Sequence, residues 1–192
     1  MQTFNIAEAK KSLRAEIRAR RKTLTEDYCQ EADEAIVQHI LGLDEYQSAK
    51  TVFCFVSTID EVNTYPILRH AWSVGKRVCV PKCIAKGIME TYEIKTLTDL
   101  EMGFYDIMEP KSDCLLVQPH QIDFCIAPCM SCTITGQRLG YGGGYYDRFL
   151  KDGLFSTAVV CRDKLTCDEI PTLDQDVKIN IVITEKGIWR IT

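Results

Sequence analysis

Short, strongly apolar runs recur along this chain, and helical patterns separate most of them. The runs are rich in β-branched, aromatic and cysteine side chains, which is typical of strands buried on both faces. Six runs are predicted strands: TVFCFV (51–56), RVCVP (77–81), METYEI (89–94, expected at an edge), DFCIAP (123–128), TAVVC (157–161) and NIVIT (180–184). Because strands alternate with helices, the chain is predicted to be an α/β protein, a three-layer α/β/α sandwich with a mostly parallel sheet.

Helix signals fill the intervals between these strands. Residues 7–22 form a predicted basic helix, and Thr25 is a predicted N-cap for a second helix with apolar residues at helical spacing. Pro66 fits the first turn of a third helix, and Gly75 fits its C-terminal end. Residues 98–109 form a predicted turn region. With no linker or repeat, residues 1–192 are predicted to be one domain, with the helices of residues 1–45 packing on the α/β core.

Charge and hydropathy narrow the classes of partner. The formal net charge is −4, which argues against a polyanion as the main partner, although residues 10–22 form a local basic segment. No apolar run approaches the roughly 18 residues that a membrane-spanning helix needs, and the first residues lack the apolar stretch of a signal peptide. We therefore expect a cytoplasmic monomer that binds neither nucleic acid nor membrane.

The chain has ten cysteines, and four of them lie inside strand-like runs, namely Cys54, Cys79, Cys125 and Cys161. In a small secreted chain such a count would indicate disulfides. Here the chain is longer and carries no export signal, so we expect buried free thiols that pack as small apolar groups.

The strongest local signal is the segment GQRLGYGGGYYDRFL (136–150). It holds five glycines and follows the predicted strand at 123–128. Glycines let backbone N–H groups turn toward a ligand without a side-chain clash, and the helix after them favours an anion. Arg138 and Arg148 can add charge-assisted hydrogen bonds to phosphate. The segment is neither a P-loop nor the usual dinucleotide fingerprint, and a plain strand-to-helix turn is the alternative.

This segment resembles the signature of the 5-formyltetrahydrofolate cyclo-ligase family, also called methenyltetrahydrofolate synthetases. Other segments resemble the family in the same order along nearly the whole chain: KKSLRAEIRARRKTL (10–24), FVSTIDEVNTYPIL (55–68), MGFYDIMEP (102–110), DFCIAP (123–128) and IPTLDQDVKINIVITEKG (170–187). The resemblance implies a fold similar to that of sugar-phosphate isomerases.

The resemblance also implies an activity, the ATP- and Mg²⁺-dependent conversion of 5-formyltetrahydrofolate to 5,10-methenyltetrahydrofolate, with release of ADP and phosphate. In this reaction the γ-phosphoryl group is transferred to the formyl oxygen, which gives an iminium phosphate. The N10 atom of the folate then attacks and closes the ring, so that no covalent nucleophile of the enzyme is required. The protein positions two ligands and neutralises phosphate charge. The folate substrate can carry one glutamate or several.

The resemblance assigns roles to individual residues. The implied ATP-binding residues are Lys10, Arg14, Arg138, Leu139, Gly140, Tyr141, Gly142, Gly143, Gly144, Tyr145 and Tyr146. The implied folate-binding residues are Val56, Glu61, Tyr141, Gly142, Gly143, Gly144 and Tyr145. The implied Mg²⁺ ligands are Asp147 and Asp176. These types suit their roles: carboxylates with phosphate oxygens bind Mg²⁺, a carboxylate accepts from pterin N–H groups, and an aromatic ring packs on a ring system. One of Tyr145 and Tyr146 is expected to face the core instead.

The chain departs from the family pattern at several positions. Tyr141 stands where many relatives carry Arg, and Cys132 and Thr133 stand where Phe and Asp are common. Leu173, Gln175 and Asn180 stand where Glu, His and Asp are usual. Because the last three flank Asp176, its role as a Mg²⁺ ligand is less firmly implied than that of Asp147.

Three other functions remain open on the sequence alone. Cys129 and Cys132 form a C-x-x-C pair with Cys125 nearby, which suits zinc or a dithiol, but no second pair completes four ligands. The basic segment 10–22 allows a non-catalytic nucleotide- or RNA-binding module. A sugar-phosphate isomerase would share the fold without needing ATP.

Overall fold

The computed structural model describes residues 2–103, 107–151 and 153–191, with side chains from residue 5 onward. Residues 104–106, which belong to the segment MGFYDIMEP, lie outside the described residues. The helices in the described part are α1 (Gln2–Arg21), α2 (Glu26–Leu41), α3 (Asp44–Ser48), α4 (Tyr65–Ser73) and α5 (Tyr145–Lys151). None of them combines the length and apolar character that crossing a membrane requires.

The main sheet has eight strands among the described residues. In spatial order they are β12 (Gly187–Arg190), β11 (Ile181–Thr184), β10 (Ser156–Val160), β7 (Phe124–Ala127), β1 (Thr51–Cys54), β2 (Arg77–Ala85), β3 (Ile88–Ile94) and β6 (Leu115–Val117). The five strands from β11 to β2 are parallel, and β12, β3 and β6 add antiparallel edges. Two small hairpins pair β4 (Leu100–Met102) with β5 (Met108–Pro110), and β8 (Ser131–Cys132) with β9 (Arg138–Leu139).

The central strands are buried on both faces because helices cover each face. Alternate strand residues such as Val52 and Ile126 pack with Ile36 of α2 and Ile67 of α4. The intervening residues, including Phe53 and Cys125, pack on the opposite face with Ile17 of α1 and Leu150 of α5. The described residues therefore form three layers, and the predicted α/β/α sandwich with a mostly parallel sheet is confirmed. That residues 1–192 make up a single domain stays a prediction.

Most predicted elements are confirmed within a few residues of their expected bounds. The Thr25 side chain caps α2 by accepting from the backbone N–H of Tyr28 at 3.3 Å. Pro66 lies in the first turn of α4, and Gly75 follows that helix at a φ of 75°. All ten cysteines are free, and six of them are buried.

One sequence-based expectation about the sheet is wrong. The strand at 89–94 does not lie at the edge, because β6 pairs with its outer side through Thr91, Tyr92 and Glu93. Strand β6 spans only Leu115–Val117, so its alternation is too short to predict it from the sequence. The sequence also did not predict the short helix α3 or the strands β4, β5, β6, β8, β9 and β12. Strands β4 and β5 form a hairpin in the segment 98–109, which was predicted to be a turn region.

The topology places several loops at one edge of the sheet. Chain order reverses between β1 and β7, which are parallel neighbours, so their carboxyl ends meet there. In open α/β sheets, ligands bind in the crevice at such a reversal. The loop after β1 carries Glu61, the segment after β7 leads to the glycine run, and Cys161 and Arg162 follow β10.

Candidate functional site

The glycine loop, residues 140–144, is shaped by its own backbone and by two arginines. Gly142 and Gly144 adopt φ values of 102° and 68°, which are unfavourable for residues with a Cβ. Arg14 Nε donates to the Gly140 carbonyl at 2.8 Å. Arg148 Nη1 donates to the carbonyls of Gly143 and Gly144 at 3.2 and 3.1 Å. Three loop carbonyls are thus occupied by guanidinium groups.

The N–H groups of this loop differ from its carbonyls. In the part of the chain that the structure describes, the backbone N–H groups of residues 141–144 have no hydrogen-bond acceptor. A run of N–H groups without acceptors, in a loop that turns through positive φ, suits an anion such as a phosphate group. Helix α5 begins directly after the loop, at Tyr145, and adds N–H groups that have no partner within the helix.

Helix α1 brings two basic side chains to the glycine loop. Lys10 and Arg14 lie four residues apart and therefore on one face of the helix. Lys10 Nζ forms an ion pair with Asp176, whose Oδ2 atom also accepts from the backbone N–H of Leu173 at 2.6 Å. Burial lowers the pKa of Arg14 below its ordinary value, and the positive charge of Arg18 adds to this shift. The negative charge of Asp176 acts in the opposite direction. The structure thus brings Lys10, Arg14 and Asp176 together beside the loop.

Arg138 and Asp147 form the second charged pair of the site. Arg138 Nη2 donates to Asp147 Oδ1 at 2.8 Å, and only 3 % of the Arg138 side chain is exposed, against 26 % for Asp147. Arg138 Nη1 donates to the Pro128 carbonyl at 3.3 Å, and Nε has no partner among the described residues. In this arrangement Arg138 holds Asp147 in place, whereas the sequence suggested only a phosphate contact for Arg138.

In each of the two predicted metal ligands, Asp147 and Asp176, the protein occupies only one carboxylate oxygen. Arg138 occupies Oδ1 of Asp147, and Lys10 with the Leu173 N–H occupies Oδ2 of Asp176. The other carboxylate oxygen of each has no hydrogen-bond partner in the described residues. Mg²⁺ is usually bound by one or two carboxylates together with phosphate oxygens and water. Each of the two carboxylates therefore has the chemistry of a Mg²⁺ ligand, with one oxygen held by the protein and the other available to a cation.

The tyrosines of the segment divide between the core and the site. Tyr146 packs against both hydrophobic clusters, lies edge-on to Phe53 with ring centroids 6.2 Å apart, and has a pKa raised well above the ordinary value by burial. The expectation that one tyrosine faces the core is confirmed for Tyr146. Tyr145 is partly exposed next to Gly143, where an added Cβ would lie 2.6 Å from the Tyr145 ring.

The loop after β1 forms the other side of the site. Glu61 Oε2 accepts from Thr58 N–H and Oγ1 at 3.0 and 3.1 Å, which fixes the carboxylate. Tyr141 keeps 46 % of its surface exposed. Its pKa is nevertheless raised, first by desolvation and second by the charge of Glu61, and Arg21 opposes this shift. Glu61, Tyr141 and Arg21 are therefore neighbours.

Two predicted contact residues lie beneath the loops. Val56 and Leu139 are only 4 % and 1 % exposed, so they support the site from the core and offer almost no surface to a ligand. The remaining predicted residues lie in or beside the two loops. ATP and folate contacts for all of them stay predictions.

Sequence reasoning missed Arg21 and Arg162. Arg21 lies seven residues after Arg14 and so on a similar face of α1, a spacing that could have singled it out. Arg162 follows β10 at the carboxyl edge of the sheet. It donates to the Glu61 carbonyl at 2.7 Å and to both carboxylate oxygens of Asp33 at 2.8 and 2.9 Å. Arg162 therefore ties the Glu61 loop to helix α2.

Removing Asp33 is expected to destabilise the fold strongly. Asp33 and Arg162 are 9 % and 5 % exposed, and the change Asp33→Ala leaves a buried guanidinium without its carboxylate. Such a loss costs about 3–5 kcal/mol, to be measured as the free energy of unfolding in urea. The matched control is Glu31→Ala, which removes an exposed acid from the same helix. Equal stability of the two variants would contradict a structural role for the pair.

Comparison with known proteins gives consistent matches over nearly the whole chain. The sequence profile of the 5-formyltetrahydrofolate cyclo-ligase family matches residues 6–185. The 5-formyltetrahydrofolate cyclo-ligase of Escherichia coli K12 is 31 % identical over 180 residues, which cover 91 % of this chain and 99 % of that protein.

Solved structures show the same similarity. The NMR structure of the 5,10-methenyltetrahydrofolate synthetase of Aquifex aeolicus superposes with a TM-score of 0.84 at 26 % identity, covering 95 % of this chain and 92 % of that one. A synthetase from Mycoplasma pneumoniae shares the fold, with a TM-score of 0.74 at 21 % identity, covering 92 % of this chain and 98 % of that one.

Proposed function

The chain belongs to the 5-formyltetrahydrofolate cyclo-ligase family, and we propose that it converts 5-formyltetrahydrofolate to 5,10-methenyltetrahydrofolate with ATP and Mg²⁺ as the family resemblance implies. ADP and phosphate are the other products. A sugar-phosphate isomerase with this fold would not require ATP, so the requirement for ATP separates the two functions.

The observation that carries this proposal is the hydrogen bonding of the glycine loop. Its carbonyls at Gly140, Gly143 and Gly144 are occupied by arginines, and its N–H groups at residues 141–144 have no acceptor in the described structure. N–H groups that are already oriented need no reorganisation when phosphate charge develops. We assign this loop, with Lys10 and Arg14 beside it, to the triphosphate of ATP.

Asp147 and Asp176 are assigned to Mg²⁺, and this ion would neutralise phosphate charge when it is bound. Arg138 acts through Asp147, because it holds one carboxylate oxygen at 2.8 Å and leaves the other for the cation. Lys10 holds Asp176 in the same way. The chain thus supplies two carboxylates whose orientation is fixed before any ligand binds.

The folate is assigned to the side of the loop that faces Glu61. The Glu61 carboxylate is held by Thr58 and suits the N–H donors of a pterin. Tyr145 and Tyr146 are both partly buried, but Tyr146 packs against the two hydrophobic clusters, so we assign the Tyr145 ring to packing against the folate. Tyr141 lies next to Glu61, so the glycine loop borders both ligands and can align the formyl oxygen with the γ-phosphate.

The chemistry then requires no covalent bond to the protein. The formyl oxygen attacks the γ-phosphorus, and the bond to ADP breaks. The N10 atom attacks the formyl carbon, the carbon–oxygen bond breaks, phosphate leaves with the formyl oxygen, and N10 loses its proton. All residues named in the site come from one chain, and we propose that a monomer is sufficient.

An oxygen-labelling experiment tests this route. Substrate carrying ¹⁸O in the formyl group is incubated with the protein, ATP and Mg²⁺, and the released phosphate is analysed by mass spectrometry. Our proposal predicts one ¹⁸O atom in each phosphate. Unlabelled phosphate, formed together with the methenyl product, would exclude the phosphorylated formyl intermediate.

Replacing Lys10 tests the assignment of helix α1. Lys10→Ala is expected to raise the KM for ATP about tenfold or more, because a hydrogen bond to a charged group contributes roughly 1.5–3 kcal/mol. The KM for the folate should change much less. Lys11→Ala is the matched control, since the Lys11 side chain is 77 % exposed. A larger change in the folate KM would mean that the basic helix serves the other ligand.

A further inference from the structure

Three cysteines converge at the carboxyl edge of the sheet. Cys129 and Cys132 follow β7, and Cys161 follows β10, the parallel neighbour of β7. Their three Sγ atoms lie within 4.8 Å of one another. The sequence shows only the C-x-x-C pair, and the pairing of the two strands supplies the third thiol.

Other buried cysteines of the core do not form a cluster of this kind. Cys54, Cys79 and Cys125 are also buried in the strands. Among the described residues, however, only Cys129, Cys132 and Cys161 bring three potential metal-binding atoms together.

A small cavity adjoins the cluster. It has a volume of about 10 Å³ and is lined by Cys129, Cys161, Arg21, Glu61 and Arg162, among others. A cavity of this size is close to the minimum for one water molecule. The Nε atom of Arg21, one of the lining residues, is buried and has no partner in the part of the chain that the structure describes.

We propose that Cys129, Cys132 and Cys161 bind one Zn²⁺ ion, with the fourth coordination position open to the cavity and filled by water. Thiolates are preferred ligands of zinc, in tetrahedral sites with Zn–S bonds of about 2.3 Å. Two sulfurs in such a site lie roughly 3.8 Å apart. Because the three Sγ atoms already lie within 4.8 Å of one another, small side-chain movements are enough to bring them to this spacing.

The charges near the cluster suit this ion. Without metal, Cys129 Sγ lies 3.3 Å from the Val160 carbonyl oxygen, and Cys161 Sγ lies 3.5 Å from the Arg162 carbonyl oxygen. Zinc binds cysteine as the thiolate, so thiol protons are released to solvent when the ion binds. Three thiolates and Zn²⁺ leave one net negative charge, which the guanidinium of Arg21 is placed to balance.

Metal titration of the metal-free, reduced protein tests the site without reference to turnover. Cd²⁺ serves as the optical probe through its thiolate charge-transfer absorbance, and Zn²⁺ competes for the same site. We expect one equivalent of Zn²⁺ per chain, with three sulfur atoms at about 2.3 Å by X-ray absorption. Cys132→Ser and Cys161→Ser should each lose that equivalent, and Cys79→Ala, which changes a buried cysteine outside the cluster, should keep it.

The X-ray absorption measurement uses the unaltered protein, so the test stands even if a serine variant does not fold. Zinc bound with fewer than three sulfurs would overturn the proposal, as would uptake no tighter than that of the folded serine variants. A disulfide between two of these cysteines in protein purified without reductant, together with no zinc binding after reduction, would also overturn it. Because the readout is metal content, a negative result leaves the proposed folate reaction untouched.

Discussion

The substitution Asp147→Asn is expected to lower kcat at least about 100-fold, the scale on which loss of one electrostatic contact to a transferring group reduces a rate. The amide oxygen still accepts a hydrogen bond from Arg138, but it lacks the charge that Mg²⁺ requires. The loss should be largest at low Mg²⁺ concentration and partly recovered at high Mg²⁺. Steady-state rates over a Mg²⁺ titration provide the measurement.

Asparagine is a better choice than alanine here. Asp147→Ala would leave the buried guanidinium of Arg138 without a charge partner, at a cost on the order of 3 kcal/mol, so lost activity could reflect unfolding. Asp174→Asn, which changes an exposed acid two residues before Asp176, is the matched control and should retain its activity. A folded Asp147→Asn variant with near-normal kcat and Mg²⁺ dependence would remove Asp147 from the metal site.

The substitution Gly142→Ala is expected to lower kcat/KM for ATP about 100-fold, as a displacement of about 1 Å in a positioning group does. Gly142 adopts a φ of 102°, and a Cβ there would lie 3.5 Å from Arg14 Cζ. Alanine disfavours that backbone conformation by on the order of 1–3 kcal/mol. The loop should therefore shift and misplace its N–H groups, which kinetics at varied ATP would detect.

Gly75→Ala provides a control with the same kind of strain. Gly75 adopts a φ of 75° after helix α4, and a Cβ there would meet no atom within 4 Å. The free energy of unfolding of the Gly75→Ala variant should fall by about 1–2 kcal/mol, while its kinetics with ATP stay unchanged. If both alanine variants kept normal kcat/KM for ATP, the loop backbone would not be part of the ATP site.

The fold could be predicted because its signals are local. Buried parallel strands appear as short apolar runs, and Thr25, Pro66 and Gly75 mark the ends of helices by mechanisms that involve a few neighbouring residues. The elements that were missed are short or lie at an edge. Strand β12 is half exposed, and helix α3 has five residues, so neither shows enough periodicity.

The site could be predicted only in part, because its contacts join residues far apart in the sequence. The glycine run indicates an anion site by itself, whereas the ligands and the roles of Asp147 and Asp176 came from the family resemblance. No spacing in the sequence shows that Arg138 pairs with Asp147 or that Lys10 pairs with Asp176. Pairing of β7 with β10 likewise brings Cys161 to the C-x-x-C pair.

The most direct test of the central claim is a turnover assay with the purified protein. 5-Formyltetrahydrofolate is mixed with the protein, ATP and Mg²⁺, and the near-ultraviolet absorbance of the methenyl product is followed. We predict that this absorbance grows only when ATP and Mg²⁺ are both present. No growth, with a protein shown to be folded and to bind ATP, would contradict the proposed reaction and leave a nucleotide site that serves a different acceptor.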